Sequence, residues 1–235
     1  GVDIFSTIPG NNYESMDGTS MAAPVVSGIA GIVRALHPEY SPLQIKEHIK
    51  ASSDNTDSVN IYFVGKLGRG RVNAFNAVQD KDYHSVILEN YSFDESIQDG
   101  IFEKNEEVFL SYELLNVLSA IENFSVKISF NTQYPPLIDV TKQDFGSLYS
   151  GQRIKIDSGF SFTLPDGVPA DYSLQIELLF YSGNKYLNSE FINLTMNPSY
   201  RTLKENNITV TINSVGNMAF NDYPGNFQGD GFRYK

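Results

Sequence analysis

The sequence predicts a mixed α/β segment followed by an all-β segment, because its hydrophobic period changes partway along the 235 residues. Before about His84, two apolar runs have the spacing and length of helices. After that residue, apolar and polar side chains alternate over several stretches, which is the period of strands. These observations predict an α/β layer first and a β-sandwich after it.

Charge and turn residues divide the chain into three predicted parts. Residues 83–201 hold 16 acidic and 7 basic groups, whereas residues 1–82 hold 9 acidic and 7 basic groups. Residues 202–235 are balanced, and one alternating strand in them precedes a Gly/Asn/Phe-rich stretch. We predict domains at 1–82 and 83–201, joined by a linker near residues 79–83, with 202–235 as the start of a further β module.

The composition excludes several functional classes. A net charge of −11 gives no basic footprint for nucleic acid or for an anionic membrane. The chain has no Cys, which excludes disulfides, thiolate nucleophiles and Cys-ligated zinc. Its longest apolar stretch, residues 21–36, is shorter than the ~20 residues of a membrane span. The chain begins at Gly1 in mid-pattern, so we expect it to be a piece of a longer protein.

The first segment combines a short strand with an apolar helix. Residues 1–7 have strand character and are followed by turn residues at 9–12. The run from Ser20 to Leu36 is apolar almost all round, which predicts a helix packed on more than one neighbour. Gly28 and Gly31 within it predict close approach to another backbone, because glycine otherwise costs a helix about 1 kcal/mol.

The next helix has a complete start signal. Ser41 is a predicted N-cap, Pro42 occupies the first helical position, and Gln44 can reach back as the second member of a capping box. The run ends near residues 52–54.

The alternating stretches after His84 predict an antiparallel sandwich, since Pro, Gly, Asp and Asn turns separate them. Its ~115 residues have the size of one immunoglobulin- or fibronectin-like domain. The alternating apolar positions include Val108, Leu110, Tyr112, Phe124, Val126, Ile128, Phe160, Phe162, Leu174, Ile176 and Leu178.

A string of small residues, Asp17-Gly-Thr-Ser-Met-Ala-Ala-Pro24, leads from a loop into the first helix. A Ser at a helix N-terminus has a backbone N–H without a helical partner and lies at the positive end of the helix dipole. Both features favour a developing oxyanion. The simpler interpretation of the string alone is that Thr19 or Ser20 caps the helix.

The string G-T-S-M-A-A-P resembles the serine-nucleophile signature of the subtilisin-like serine proteases, the subtilase family. The preceding strand and Gly68-Arg-Gly-Arg-Val-Asn-Ala74 are also similar to that family, so the resemblance covers residues 1 to about 80. It implies the C-terminal part of a catalytic domain, an incomplete doubly wound α/β layer, and peptide hydrolysis through an acyl-enzyme. Ser20 would be the nucleophile, with its N–H and the Thr19 hydroxyl supporting the oxyanion.

In the subtilase family the catalytic Asp, the His and the oxyanion Asn precede the Ser, and only nineteen residues precede Ser20 here. None of the three histidines present, His37, His48 and His84, is expected to replace the missing base. We therefore expect the chain to be inactive alone. The competing α/β-hydrolase elbow, G-x-S-x-G, fits less well because Ala22 stands in its last position and no suitable His follows.

No resident cofactor is predicted, and one calcium alternative stays open. Residues 94–107 are acidic, and aligning Gly100 with the sixth position of an EF-hand loop puts Asp99 fifth and Glu106 twelfth. Ile97 at the third position cannot ligate, so a solvated acidic turn is the favoured interpretation.

Two functions remain. The first is part of a secreted serine endopeptidase with a polypeptide substrate and an accessory sandwich, located outside the cell like the extracellular bacterial subtilases that its composition resembles. The second is a non-catalytic binding or adhesion protein of the cell surface in which the sandwich does the work. Upstream Asp and His motifs would distinguish them.

Overall fold

The computed structural model describes residues 1–64, 66–79, 81–205, 208–213 and 216–219. Its residue contacts divide the chain into two compact units. The first unit contains residues 1–87, 116–121 and 147–152, and the second contains residues 88–115, 122–146 and 153–235. Residues 220–235, in the predicted third module, lie outside the described residues.

The first unit begins with a hairpin and continues with helices. Strand β1 (Ile4–Ile8) pairs antiparallel with β2 (Asn12–Met16), and the turn between them uses positive φ angles at Gly10 and Asn11. The helices are α1 (Thr19–Leu36), α2 (Pro42–Ala51) and the short α3 (Ala74–Ala77), with 3₁₀ turns at Asp57–Val59 and Ile61–Phe63.

The predicted capping box of α2 is confirmed. The Ser41 hydroxyl accepts a hydrogen bond from the Gln44 N–H, and the Gln44 side chain accepts one from the Ser41 N–H. Pro42 is the first helical residue, and the helix ends with Ser52 as its C-cap. This start signal is local, so it works whatever the helix packs against.

The prediction that α1 is packed on several sides is wrong for the described residues. Only Ile29 and Val33 of this helix are buried, whereas Val25, Ile32 and Leu36 are about half exposed. Ile29 and Val33 have few buried neighbours, because the buried cluster of this region consists of these two residues with Ile49 and Ala77. A Cβ atom at Gly28 or Gly31 would meet nothing within 4 Å, so the expected close backbone approach is also not found here.

In the described part of the chain after residue 85, strands dominate and form three sheets. One has the order β3–β4–β7, the second β6–β5–β8–β9, and the third, nearest the C-terminus, β10–β11–β12. Pairs β4/β7, β5/β8, β8/β9 and β10/β11 are antiparallel. The strand bounds are β3 Val86–Glu95, β4 Glu107–Asn116, β5 Ile121–Phe130, β6 Lys142–Leu148, β7 Arg153–Thr163, β8 Tyr172–Ser182, β9 Lys185–Met196, β10 Tyr200–Glu205, β11 Ile208–Asn213 and β12 Met218–Ala219.

Alternation along these strands produces the core of the second unit. In β8 the alternate residues Leu174, Ile176, Leu178 and Phe180 are all fully buried. Side chains of the first two sheets touch: the ring of Phe130 (β5) lies 5.2 Å from that of Phe162 (β7). The predicted period of two therefore corresponds to one buried face on each strand.

We expect Phe162→Ala to destabilise the second unit by about 3–5 kcal/mol, because it removes a fully buried ring and leaves a cavity. Urea unfolding followed by far-UV circular dichroism measures the change. Leu137→Ala is the control, since that side chain is 72% exposed. A loss below about 1 kcal/mol for Phe162→Ala would contradict this assignment of the core.

Residues 1–80 expressed alone are expected to be unstable or to aggregate, whereas residues 83–201 should fold alone. The shorter piece has the four-residue core described above, and it loses the hydrogen bond that the Ser85 hydroxyl donates to the buried Glu47 carboxylate at 2.7 Å. Thermal unfolding of the two pieces tests this. A cooperative transition for 1–80, or none for 83–201, would contradict the prediction.

Candidate functional site

Ser20 lies in the first turn of α1 with its side chain exposed. The N-cap of the helix is Gly18, and no side chain makes a capping hydrogen bond. The simpler interpretation, that Thr19 or Ser20 caps the helix, is therefore wrong. Because its hydroxyl does not cap the helix, Ser20 can present it to a substrate.

The hairpin holds the loop before Ser20 in place. The Gly18 N–H donates to the Gly1 carbonyl at 2.8 Å, and the Asp3 N–H donates to the Asp17 carboxylate at 2.6 Å. Gly18 has φ +145° and ψ 161°, a conformation that side chains disfavour. These contacts fix the point at which the chain turns into the helix.

The first turn of α1 is electropositive. The N–H groups of the first helical residues, Ser20 included, have no partner within the helix, and the first turn contains no acidic residue. The positive end of the dipole of this 18-residue helix lies there. Pro24 lacks the N–H that would bond to the carbonyl of residue 20, so one hydrogen bond of the turn is missing. This end of α1 suits a developing negative charge.

None of the histidines forms a described contact with Ser20. His37 is the C-cap of α1, seventeen residues or about 25 Å of helix away. The His48 ring lies 5.2 Å from the His37 ring, at that same distant end. Nε2 of His48 donates to the Ala77 carbonyl at 2.9 Å, and Nδ1 of His84 lies 3.3 Å from the Ser119 carbonyl. The expectation that none of them serves as base stays a prediction, which these contacts support.

His48 lies in a cluster of rings with His37, Tyr40 and Tyr83. The Tyr83 ring meets it edge-on at 4.7 Å, and the Tyr40 ring stacks on His37 at 4.4 Å. Burial lowers the pKa of His48, and burial raises the pKa values of Tyr40 and Tyr83. The folded state therefore favours the neutral forms of His48, Tyr40 and Tyr83, which pack as rings in this cluster.

The segment Gly68–Ala74 is organised around Asp54, which sequence reasoning missed. Asp54 and Arg71 exchange two backbone hydrogen bonds of 2.8 and 2.9 Å, and Arg71 Nη2 donates to the Asp54 carboxylate at 2.8 Å. Asn73 donates to the other carboxylate oxygen at 2.9 Å. The hydrogen bond from Arg71 is the main reason why the pKa of Asp54 lies below its usual value.

Gly70 allows the close approach of these two segments. Its φ is +106°, and a Cβ atom there would lie 2.1 Å from the Asp54 carbonyl oxygen. The second arginine of the motif, Arg69, lies 4.0 Å from the buried Glu47 carboxylate. Both arginines of the motif therefore face carboxylates.

The acidic stretch 94–107 contains the end of β3, the connection 96–106 and the first residue of β4, and part of it is buried. Glu95 is 5% exposed and Glu106 is 3% exposed, so the interpretation as a solvated turn is wrong for these two side chains. Among the residues that the structure describes, no three His, Cys, Asp or Glu side chains form a ready-made metal cage.

Comparison with known proteins finds matches to the part of the chain that contains the serine motif. A family model described as the Subtilase family matches residues 3–76. Over 74 residues the chain is 43% identical to Subtilisin BL and to Subtilisin Savinase, both of Lederbergia lenta, which is 32% of this chain and 26% of each relative. It is also 43% identical over 74 residues to an alkaline protease of Alkalihalobacillus alcalophilus, 18% of that protein.

Residues 3–76 therefore resemble a segment of the subtilisin-like serine proteases, and the matched range includes Ser20. The chain spans about a quarter of the length of the subtilisins it matches. By length and hydropathy α1 also meets the criteria for a membrane-spanning helix. Helices in the core of a protein meet them too, so these two properties do not distinguish a membrane-spanning helix from a core helix.

We expect the first unit to lose stability as the pH falls below about 6.5, the ordinary pKa of His. The lowered pKa of His48 means that the folded state favours the neutral ring, so stability is present above the unfolded pKa and lost as the pH falls through the folded one. Melting temperatures between pH 8 and 5 measure this loss. Asp54 does not contribute in that range, because its pKa is lowered from 3.8.

The variant His48→Gln should flatten this pH dependence while retaining the donor to the Ala77 carbonyl. His84→Gln is the matched control and should leave the dependence unchanged. An equally steep loss of stability in His48→Gln would contradict the assignment to His48.

Proposed function

We propose that Ser20 is the nucleophile of a serine endopeptidase that hydrolyses peptide bonds through an acyl-enzyme. The observation that carries the proposal is the exposed hydroxyl in the first turn of α1, which follows a glycine N-cap and therefore has no capping role. The match of residues 3–76 to the subtilases supports it.

In this reaction the Ser20 Oγ attacks the scissile carbonyl carbon and its proton passes to a base. The carbonyl oxygen becomes an oxyanion, which the Ser20 N–H and the positive end of α1 stabilise, with the Thr19 hydroxyl in support. Collapse of this intermediate expels the amine as it takes the proton and leaves the acyl group on Ser20. Water then hydrolyses the ester and restores the hydroxyl.

The proposal requires a base that the described histidines do not supply. A base must come within about 3 Å of the hydroxyl, and the contacts of His37, His48 and His84 lie elsewhere. We propose that the Asp, the His and the oxyanion Asn come from a preceding part of the same catalytic domain. The chain as given would then be inactive without them.

The exposed apolar face of α1 fits the same proposal. Val25, Ile32 and Leu36 are each about half exposed, and the Cβ positions of Gly28 and Gly31 are open. We propose that the preceding part of the domain covers this face and that α1 does not span a membrane. Burying each of these larger side chains completely would contribute up to about 1.5–3 kcal/mol.

Beyond the catalytic segment, we propose that residues 83–201 form an immunoglobulin- or fibronectin-like accessory sandwich and that residues 202–235 begin a further β module. The contact between Phe130 and Phe162 across the first two sheets supports the sandwich. We further propose that the protein is extracellular and acts on polypeptides. Its acidic, Cys-free composition fits export and gives no footprint for nucleic acid.

Fluorophosphonate labelling of the full-length protein tests the proposal. We expect the probe to label Ser20 and the variant Ser20→Ala to lose labelling. Peptide turnover in that variant should fall on the order of 10⁶-fold, the loss known for removal of the nucleophile in subtilisin.

Ser27→Ala is the matched control, because Ser27 lies on the same helix and its hydroxyl bonds back to the Ala23 carbonyl at 3.2 Å. It should keep full labelling. If Ser20 stays unlabelled in folded full-length protein, the enzyme proposal fails. The alternative, a non-catalytic binding or adhesion protein that uses the sandwich, would then replace it.

A further inference from the structure

The connection between β3 and β4 concentrates negative charge within a short stretch of chain. Residues 94–107 contain six acidic side chains and one basic side chain, Lys104. The acidic residues are Asp94, Glu95, Asp99, Glu103, Glu106 and Glu107. Exposed acidic clusters are common and mean little, so the position of each carboxylate matters.

Two of the six carboxylates are buried at the ends of the strands. Glu95 is the last residue of β3, and Glu106 directly precedes β4. They are 5% and 3% exposed, respectively, whereas Asp94, Glu103 and Glu107 are exposed. The connection therefore encloses the two buried side chains and leaves most of the others in water.

The backbone of the connection donates to these two carboxylates. Oε1 of Glu95 accepts from the Gly100 N–H. Oε1 of Glu106 accepts from the Ile97 N–H at 3.2 Å, and its Oε2 accepts from the Glu103 N–H at 3.1 Å. The carboxylate of Glu95 therefore points into the connection, but its Oε2 is fully buried and has no hydrogen-bond partner.

This arrangement leaves the charge of two buried carboxylates uncompensated. No Lys, Arg or His forms an ion pair with Glu95 or Glu106 among the residues that the structure describes, and Lys104 is exposed. Backbone N–H groups offset only part of the cost of burying an anion. Buried charges in proteins are paired with an opposite charge or coordinate a metal.

We propose that the connection between β3 and β4 binds one calcium ion through the carboxylates of Glu95 and Glu106. Calcium takes six to eight oxygen ligands in flexible geometry, including backbone carbonyls and water. No group of three or more His, Cys, Asp or Glu side chains lies together among the described residues, so carbonyls of the connection and water would complete the shell. Such a site has the dissociation constant of extracellular modules, about 10⁻⁴–10⁻³ M.

The spacing of the two residues agrees with this assignment. Glu95 and Glu106 are the first and twelfth residues of a twelve-residue stretch with Gly100 in the sixth position. In an EF-hand loop the first and twelfth positions hold side-chain ligands, and the sixth is the glycine of the sharp turn. Magnesium fits less well, because it demands near-ideal octahedral geometry and keeps several of its waters.

Calorimetric titration of the EDTA-treated 235-residue chain with calcium chloride tests the proposal. We expect one binding site with a dissociation constant in the range above, and a melting temperature about 5 °C higher in 10 mM calcium. Magnesium chloride at the same concentration should give a smaller shift. No binding and no shift up to 10 mM calcium would overturn the proposal.

Glu95→Gln should weaken calcium binding at least tenfold, and it keeps an acceptor for the Gly100 N–H, so the fold should survive. Glu106→Gln is the second test variant. Glu107→Gln is the matched control: it removes the same charge from the neighbouring exposed residue and should bind calcium like the parent. Equal loss of binding in all three variants would show a diffuse charge effect and refute the site.

A purely structural role for the Glu95 side chain is the competing explanation for its buried oxygen without a partner. In that case Glu95→Gln would leave the melting temperature without calcium unchanged or raise it, and the parent chain would bind no calcium. This result would also overturn the proposal.

Discussion

The candidate site depends on the backbone conformation of a single residue, Gly18. Its φ of +145° lets the chain turn from the hairpin directly into α1, with no side chain occupying the cap position. A Ser, Thr, Asp or Asn cap would bond to the free N–H groups of the first turn. With glycine there, those N–H groups and the Ser20 hydroxyl remain available for a substrate. The features that make this helix start poorly capped are the ones that an acyl transfer requires.

The chain compensates its buried or constrained carboxylates in different ways. The Lys50 ammonium and the Ser85 hydroxyl each donate to the Glu47 carboxylate at 2.7 Å. One cation and one neutral donor therefore stabilise its negative charge. The Asp54 carboxylate accepts hydrogen bonds from Arg71 and Asn73, which join the segment just after α2 to the Gly68–Ala74 segment. Glu95 differs from both, because its only described donor is a backbone N–H. This contrast distinguishes Glu95, which has no cationic partner among the described residues, from Glu47 and Asp54.

The two units differ in how completely they bury their hydrophobic side chains. Strands of the second unit bury whole alternating rows, such as Leu174, Ile176, Leu178 and Phe180 in β8. In the first unit α1 is apolar all round, yet it buries only Ile29 and Val33. A helix of this composition normally lies inside a protein. In this structure most of its apolar side chains are exposed or half-buried instead.

Features that depend on neighbours along the chain could be predicted from the sequence alone. The capping box of Ser41 and Gln44 and the strand period both follow from local spacing, and the serine motif is a continuous string. No pattern in the sequence indicated that Asp54 contacts Arg71, seventeen residues away, or that Glu47 contacts Ser85, thirty-eight residues away.

The fold was needed to show which acidic residues of the 94–107 stretch are buried, because all six look alike in sequence. Burial of Glu95 and Glu106 results from where β3 ends and β4 begins in the sheet. The structure also showed that Gly18 is the N-cap of α1 and that neither the Thr19 nor the Ser20 hydroxyl caps the helix. Local hydrogen bonds and periodicity can be inferred from spacing, whereas burial and long-range pairing depend on which segments the fold brings together.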